Sequence, residues 1–205
     1  LSLSRDIFIR SALLQAIFIS FLFLGADFGD VPLAANQILL QFLEITAFAL
    51  DGFAFAAEAL VGQALGTRSR AALRRAALVS SFWGLLSGIV LAAAFALFGT
   101  AIIDIMTTSP EVRAEARLYL VFMVLAPVLG CASWMLDGIF IGATRARDMR
   151  DMMIIAAAIY AGAVLLLVPA YGNTGLWLAL LISFLARAVA LGARYPALER
   201  SATPA

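Results

Sequence analysis

The sequence predicts an all-α integral membrane protein, built as a bundle of six transmembrane helices. Two observations carry this prediction. The chain is 64% hydrophobic with a mean hydropathy of +1.02, and its apolar residues gather into six segments of spanning length. A hydrocarbon layer of about 30 Å needs about twenty apolar residues per helix. An ordinary soluble domain has neither this composition nor such runs.

The six segments leave only short connections between them. The second segment, which starts after Pro32 and stops before Gly66, is about 50 Å long as a helix, so we expect it to tilt or to project beyond the bilayer. Residues 1–198 are predicted to form one six-helix lobe, and residues 199–205 a C-terminal tail. The predicted spans are 7–25, 33–65, 76–98, 112–142, 152–168 and 174–194.

The arginines orient these spans, because loops on the cytoplasmic side of a membrane are enriched in basic residues. Arginines cluster at both termini and in the loops after the second and fourth spans, whereas the opposite side has only Arg113 and Arg117. We therefore expect both termini to be cytoplasmic and the protein to lie in the inner (plasma) membrane. The aromatic residues predicted at the membrane interfaces are Tyr171, Trp177 and Tyr195.

Composition also limits the chemistry. The chain has no histidine and one cysteine, which excludes an imidazole proton relay, a histidine zinc site and an intrachain disulfide. No phosphate-binding glycine loop is present, and nothing indicates nucleic-acid binding. We expect no cofactor, so carboxylates are left as the plausible groups for handling a proton or another cation.

The second span carries three carboxylates at a seven-residue spacing, Glu44, Asp51 and Glu58. Seven residues come within about 20° of two full turns, so these acids form a stripe on one helix face. Gln37 and Gln41 extend it outward. An acid at the bilayer centre costs roughly 2.5–3.5 kcal/mol, so several persist only where they face protein, water or an ion.

Two interpretations of the stripe stay open. The acids either pack against other helices through hydrogen bonds, or they line a cavity for a cation or polar substrate. Asp51 lies near the middle of the span and is the main candidate for the cavity. Glu58 is nearer the cytoplasmic interface, where we expect it to pair with Arg68, Arg70 or another loop arginine.

Two charged residues on later spans are further candidates. Asp137 lies ten residues after Pro127, whose missing backbone hydrogen bond often opens a polar cavity in a membrane helix; it either lines such a cavity or caps backbone near the cytoplasmic end. Arg187 is expected to extend its long side chain to the inner interface. The alternative makes Arg187 a partner of Asp137.

Several short stretches resemble the C-terminal half of multidrug and toxic compound extrusion (MATE) transporters, and in particular the DinF-like branch of that family. The resemblance covers nearly the whole chain and is most specific at residues 58–66. The matching stretches are residues 4–8, 36–37, 49–53, 58–66 and 142–145.

The resemblance implies a fold of twelve helices in two six-helix lobes, of which this chain is one. The family exports small organic, often cationic compounds in exchange for protons or sodium. Some members place a cation site in this lobe, with one acid on its first helix and one on its fourth. Asp137 matches the second of these, whereas the first helix here has Gln15. In DinF-like members the proton-linked aspartate is expected in the other lobe.

We therefore predict half of a cation-coupled exporter, not an enzyme, with the bilayer, a small organic substrate and an N-terminal six-helix lobe as its partners. Four alternatives remain. A related flippase would move lipid-linked saccharide, and would favour basic residues in its cleft. A six-helix unit that dimerises would need no second lobe. An intramembrane aspartyl protease would use Asp51 and Asp137, but its Gly-x-Gly-Asp context is missing. A membrane scaffold would transport nothing.

Overall fold

The computed structural model describes residues 1–202, which form six α-helices and no strand. Each helix is long and apolar enough to cross a membrane, which confirms the predicted six-helix membrane bundle. Connections of one to three residues join consecutive helices, which makes them neighbours in the bundle. The helices are α1 (Ser2–Ala26), α2 (Asp30–Gly66), α3 (Arg70–Met106), α4 (Pro110–Gly142), α5 (Ala146–Tyr171) and α6 (Asn173–Arg200).

The helices extend beyond the predicted spans. Hydropathy marks only the part of a helix that sits in hydrocarbon, whereas the backbone stays helical until a cap ends it. The Ser69 hydroxyl accepts a hydrogen bond from the Ala72 amide at 3.2 Å, so α3 begins at Arg70, six residues before its predicted span. Ser109 caps α4 in the same way through the Val112 amide. Both are side-chain N-caps.

The structure also differs at the C-terminus, where the predicted tail begins at residue 199. Glu199 and Arg200 still belong to α6, and the Glu199 side chain is buried. It is held by Arg70 and Arg74 at the start of α3. These contacts hold the end of α6, which continues past the predicted span. The last three residues of the predicted tail, 203–205, lie outside the described residues.

The helices differ in how much they are buried. α4 and α6 are the most enclosed, and α2 packs against α3 and α4. α3 instead exposes many large apolar side chains, among them Leu78, Phe82 and Trp83. Exposed apolar surface of this extent fits contact with lipid, because a bilayer does not penalise it as water does.

Glycines bring α4 and α2 into direct backbone contact. A Cβ atom at Gly138 would lie 2.3 Å from the carbonyl oxygen of Ala54, and one at Gly142 would lie 2.4 Å from that of Glu58. Small residues four apart commonly allow this approach between membrane helices. The contact places Asp137 beside the stripe of acids on α2.

A buried polar cluster joins the N-terminal ends of α2 and α6. Asn36 and Asn173 exchange two amide hydrogen bonds, at 2.8 and 2.9 Å. The Trp177 indole N–H donates to the same Asn36 oxygen at 3.0 Å. The prediction that Trp177 lies at the membrane interface is therefore wrong: its ring is fully buried, with its one donor satisfied inside the protein.

Candidate functional site

A cavity of about 530 Å³ lies between α1, α2, α4 and α6. Its walls are largely apolar, but each of the four helices contributes at least one polar or charged side chain. Four carboxyl groups face two guanidinium groups, so acid is in excess. The charged lining residues are Arg10, Glu44, Asp51, Glu58, Asp137 and Arg187.

The α2 wall of the cavity holds the stripe of acids. Glu44 is exposed, whereas Asp51 and Glu58 are half-buried. None of the three forms an ion pair with another residue in the described range 1–202. The seven-residue spacing brings all three to the cavity, about 10 Å apart along the helix axis. The Asp51 carboxyl faces the Trp134 indole N–H, which acts on it as a hydrogen-bond donor, and Arg10 is nearby.

The two glutamines that extend the stripe outward do not share its position at the cavity. Gln37 and Gln41 are both exposed and are not among the residues that line the cavity. Leu40 is the outermost residue of α2 that lines the cavity, so Gln37 lies beyond it, whereas Gln41 is level with the cavity but does not line it.

Glu58 does not make the ion pair predicted for it. Arg70 donates to Glu199 on α6 at 3.0 Å, and Arg68 forms no ion pair with a described residue. The reason is geometric: Glu58 faces the cavity, whereas Arg70 begins the next helix and meets the end of α6.

The facing wall is organised around Asp137 on α4. Its side chain is buried and accepts a hydrogen bond from the Arg10 guanidinium of α1. It makes no hydrogen bond to a backbone amide among residues 1–202. Of the two alternatives for Asp137, the structure therefore shows the lining of a cavity and not a backbone cap.

Arg187 completes this wall from α6. Its side chain is only 3% exposed, so the expectation that it extends to the inner interface is wrong. One guanidinium nitrogen donates to Ser133 at 3.0 Å and lies 3.7 Å from Asp137. The guanidinium also stacks over the Trp134 ring, 5.6 Å from its centroid. A carboxylate and an aromatic face stabilise the buried charge, so it need not reach water.

Arg10 is a charged cavity residue that the sequence pattern did not predict, because it resembles the other basic residues near the N-terminus that orient the spans. Its place in the sequence did carry a signal: it lies inside the predicted span 7–25, with Ile9 before it and an apolar run after it. A charged residue within a span calls for a partner. The identity of that partner, Asp137, lies in a different helix and appears only in the fold.

The two walls therefore differ in kind. On one side Arg10 and Arg187 share the single carboxylate of Asp137, and the Nε atom of each is buried without a hydrogen-bond partner among residues 1–202. On the other side the acids of α2 form no ion pair with those residues and attract positive charge. Such a cavity suits a polar, positively charged guest that is also partly apolar, because Phe55 and Trp134 line it as well.

Comparison with known proteins identifies the family. The family model described as MatE matches residues 7–171. The chain belongs to the MATE family. It is 42% identical over 201 residues to the DNA damage-inducible protein F of Escherichia coli K12, an alignment that covers 94% of this chain but only 42% of that protein. The resemblance to the DinF-like branch is thereby confirmed.

Solved MATE structures show the same fold. The Vibrio cholerae transporter VcmN in its bent form superposes with a TM-score of 0.84 at 18% identity, over 94% of this chain and 44% of that one. A transporter of the MOP superfamily from Pyrococcus furiosus gives 0.85 at 14% identity, over 94% and 43%. The chain thus spans less than half the length of its relatives, and its six helices match one lobe of a MATE transporter. MATE members are transporters and not enzymes, which removes the aspartyl protease.

Proposed function

We propose that this chain is one six-helix half of a secondary transporter, which exports small organic, mainly cationic compounds in exchange for a proton or Na⁺. The observation that carries the proposal is the cavity of about 530 Å³, in which three carboxyl groups of α2 form no ion pair with residues 1–202. A volume of several hundred Å³ fits a drug-sized molecule. The proposal includes a second six-helix lobe as partner and an inner-membrane location with cytoplasmic termini.

Exchange follows from competition for the same carboxyl groups. A protonated acid holds a cation weakly, and a bound cation disfavours protonation. If the two guests prefer different access states, each drives the change that releases the other. Asp51 is the best placed for this role, because it is half-buried, central in α2 and in no ion pair with residues 1–202. Asp137 is less free, because Arg10 and Arg187 already compensate its charge.

A lipid-linked saccharide flippase is the second candidate function. Arg10 and Arg187 favour it, because guanidinium groups bind pyrophosphate well. Both, however, face Asp137, and the carboxyl groups outnumber them two to one in the cavity. A pyrophosphate would therefore meet more repulsion than attraction, and the exporter is the better fit.

The test uses the full-length protein and efflux of a fluorescent cationic dye from cells. Asp51→Asn removes the ionisable group with little change in shape, and efflux should fall to near the level of cells that lack the transporter. The matched control is Asp30→Asn, at the exposed start of the same helix, which should pump normally. Unchanged efflux in a normally inserted Asp51→Asn variant would exclude Asp51 from the mechanism.

A further inference from the structure

A second charged pocket lies where α3 begins and α6 ends, and it shares no lining residue with the cavity. Its volume is about 770 Å³. Three arginines of the first turns of α3 line it, Arg70, Arg74 and Arg75, and the apolar Leu78 and Val79 follow them along the helix.

The charges in this pocket do not balance. The buried Glu199 carboxylate accepts a hydrogen bond from Arg70 at 3.0 Å and lies 2.8 Å from Arg74. Arg75 forms no ion pair with any residue of the range 1–202. One carboxylate therefore faces three guanidinium groups, of which Arg70 and Arg74 are about half exposed. Glu199 fixes two of these groups in place, and positive charge is left over for an anion.

An apolar groove continues from this pocket along the bundle. It has a volume of about 670 Å³ and shares Arg74, Leu78 and Glu199 with the pocket. It passes Leu136 of α4 and Gly192 of α6. These positions lie further from the helix ends than the arginines do, so the groove runs from the basic pocket toward the middle of the membrane.

We propose that this surface binds one anionic phospholipid, with the phosphate of its head group on the arginines and an acyl chain in the groove. Basic pockets at the membrane surface attract anionic head groups. Exposed Leu78 and Val79 place the pocket beside lipid. The arginines lie at the helix ends and the apolar groove lies deeper in the bundle. A phospholipid in one leaflet has the same order, with its head group at the surface and its acyl chains below.

The first arm of the test measures which head group the surface prefers. The full-length protein in detergent is mixed with phosphatidylglycerol or with phosphatidylcholine of the same chains, and bound lipid is counted by native mass spectrometry. Phosphatidylglycerol should be preferred, and Arg75→Gln should lower its binding roughly fivefold, because one arginine near the membrane surface contributes about 1 kcal/mol. The matched control, Arg68→Gln, removes the same charge from the adjoining turn outside the pocket and should bind normally. Equal binding of the two lipids by the wild type overturns the proposal without any variant.

The second arm separates a lipid from a soluble anion. A Cβ atom at Gly192 meets no atom within 4 Å, and the same holds at Gly162 on α5, which lines neither the pocket nor the groove. Gly192→Leu should fill the groove and lose phosphatidylglycerol, whereas Gly162→Leu should keep it. Excess inorganic phosphate should not displace the lipid. Normal lipid binding by Gly192→Leu, or displacement by phosphate, would reduce the surface to an anion site and overturn the proposal.

Discussion

Arg10 on α1 and Asp137 on α4 are hydrogen-bonded partners although 127 positions separate them in the sequence. α1 packs mainly against α5. The hydrogen bond from Arg10 therefore links α1 to α4, one of the two most buried helices. Both groups line the cavity, and Arg187 lies 3.7 Å from the same oxygen of Asp137. A charged guest in the cavity would compete for the same groups.

Arg10→Gln, Asp137→Asn and the double variant form a double-mutant cycle that measures the coupling free energy of this pair. Arg10→Gln leaves Asp137 with Arg187 alone, and Asp137→Asn leaves both guanidinium groups without a carboxylate. The double variant should therefore lose less stability than the sum of the two single losses. We expect a coupling of about 1–3 kcal/mol, toward the lower value because the Arg10 side chain is 18% exposed. Denaturant unfolding of the full-length protein in detergent measures it.

The control cycle uses an exposed pair of the same chemistry. Arg117 donates two hydrogen bonds to Asp104, at 2.6 and 2.7 Å, and both side chains are more than a third exposed. Arg117→Gln with Asp104→Asn should show a coupling below about 1 kcal/mol, because water screens exposed ion pairs. Equal couplings in the two cycles would show that Arg10 and Asp137 are hydrated like a surface pair.

Asn36 should be critical for stability although it does not line the cavity. Asn36→Ala leaves the Trp177 indole N–H and the Asn173 amide without partners in a buried site. Each unsatisfied group costs about 1–3 kcal/mol, so the melting temperature in detergent should drop clearly. The neighbouring Gln37→Ala, an exposed position, should change it little. Similar melting temperatures for the two variants would contradict the role of the cluster.

The sequence was informative wherever the signal is local. A seven-residue spacing on one helix fixes which side chains share a face, so the stripe of Glu44, Asp51 and Glu58 could be predicted and does line one cavity. Six apolar runs of spanning length likewise gave six helices. Each of these inferences depends on residues that are neighbours along one helix.

Prediction failed where the partner of a residue lies on another helix. Trp177 and Arg187 have the sequence context of interface residues, yet Asn36 and Asp137 satisfy them in the interior. Hydropathy averages over a window and cannot report which polar groups meet across the bundle. For the same reason the ion pair of Glu199 with Arg70 and Arg74, which holds the end of α6, had no counterpart in the sequence pattern.

The close approach of α4 to α2 gives a last prediction, because it sets the position of Asp137. Gly138→Ala would place a methyl group 2.3 Å from the Ala54 carbonyl oxygen. Backbone cannot turn aside as a side chain can, so the helices must separate, at a cost of about 1–3 kcal/mol or more. The melting temperature should fall and dye efflux should drop with it, since Asp137 moves relative to the stripe. Gly52→Ala on α2, where a Cβ atom meets nothing within 4 Å, should instead be neutral or stabilise by about 0.5–1 kcal/mol through the lower flexibility of alanine. If both variants melt alike, the contact at Gly138 does not hold the two walls of the cavity together.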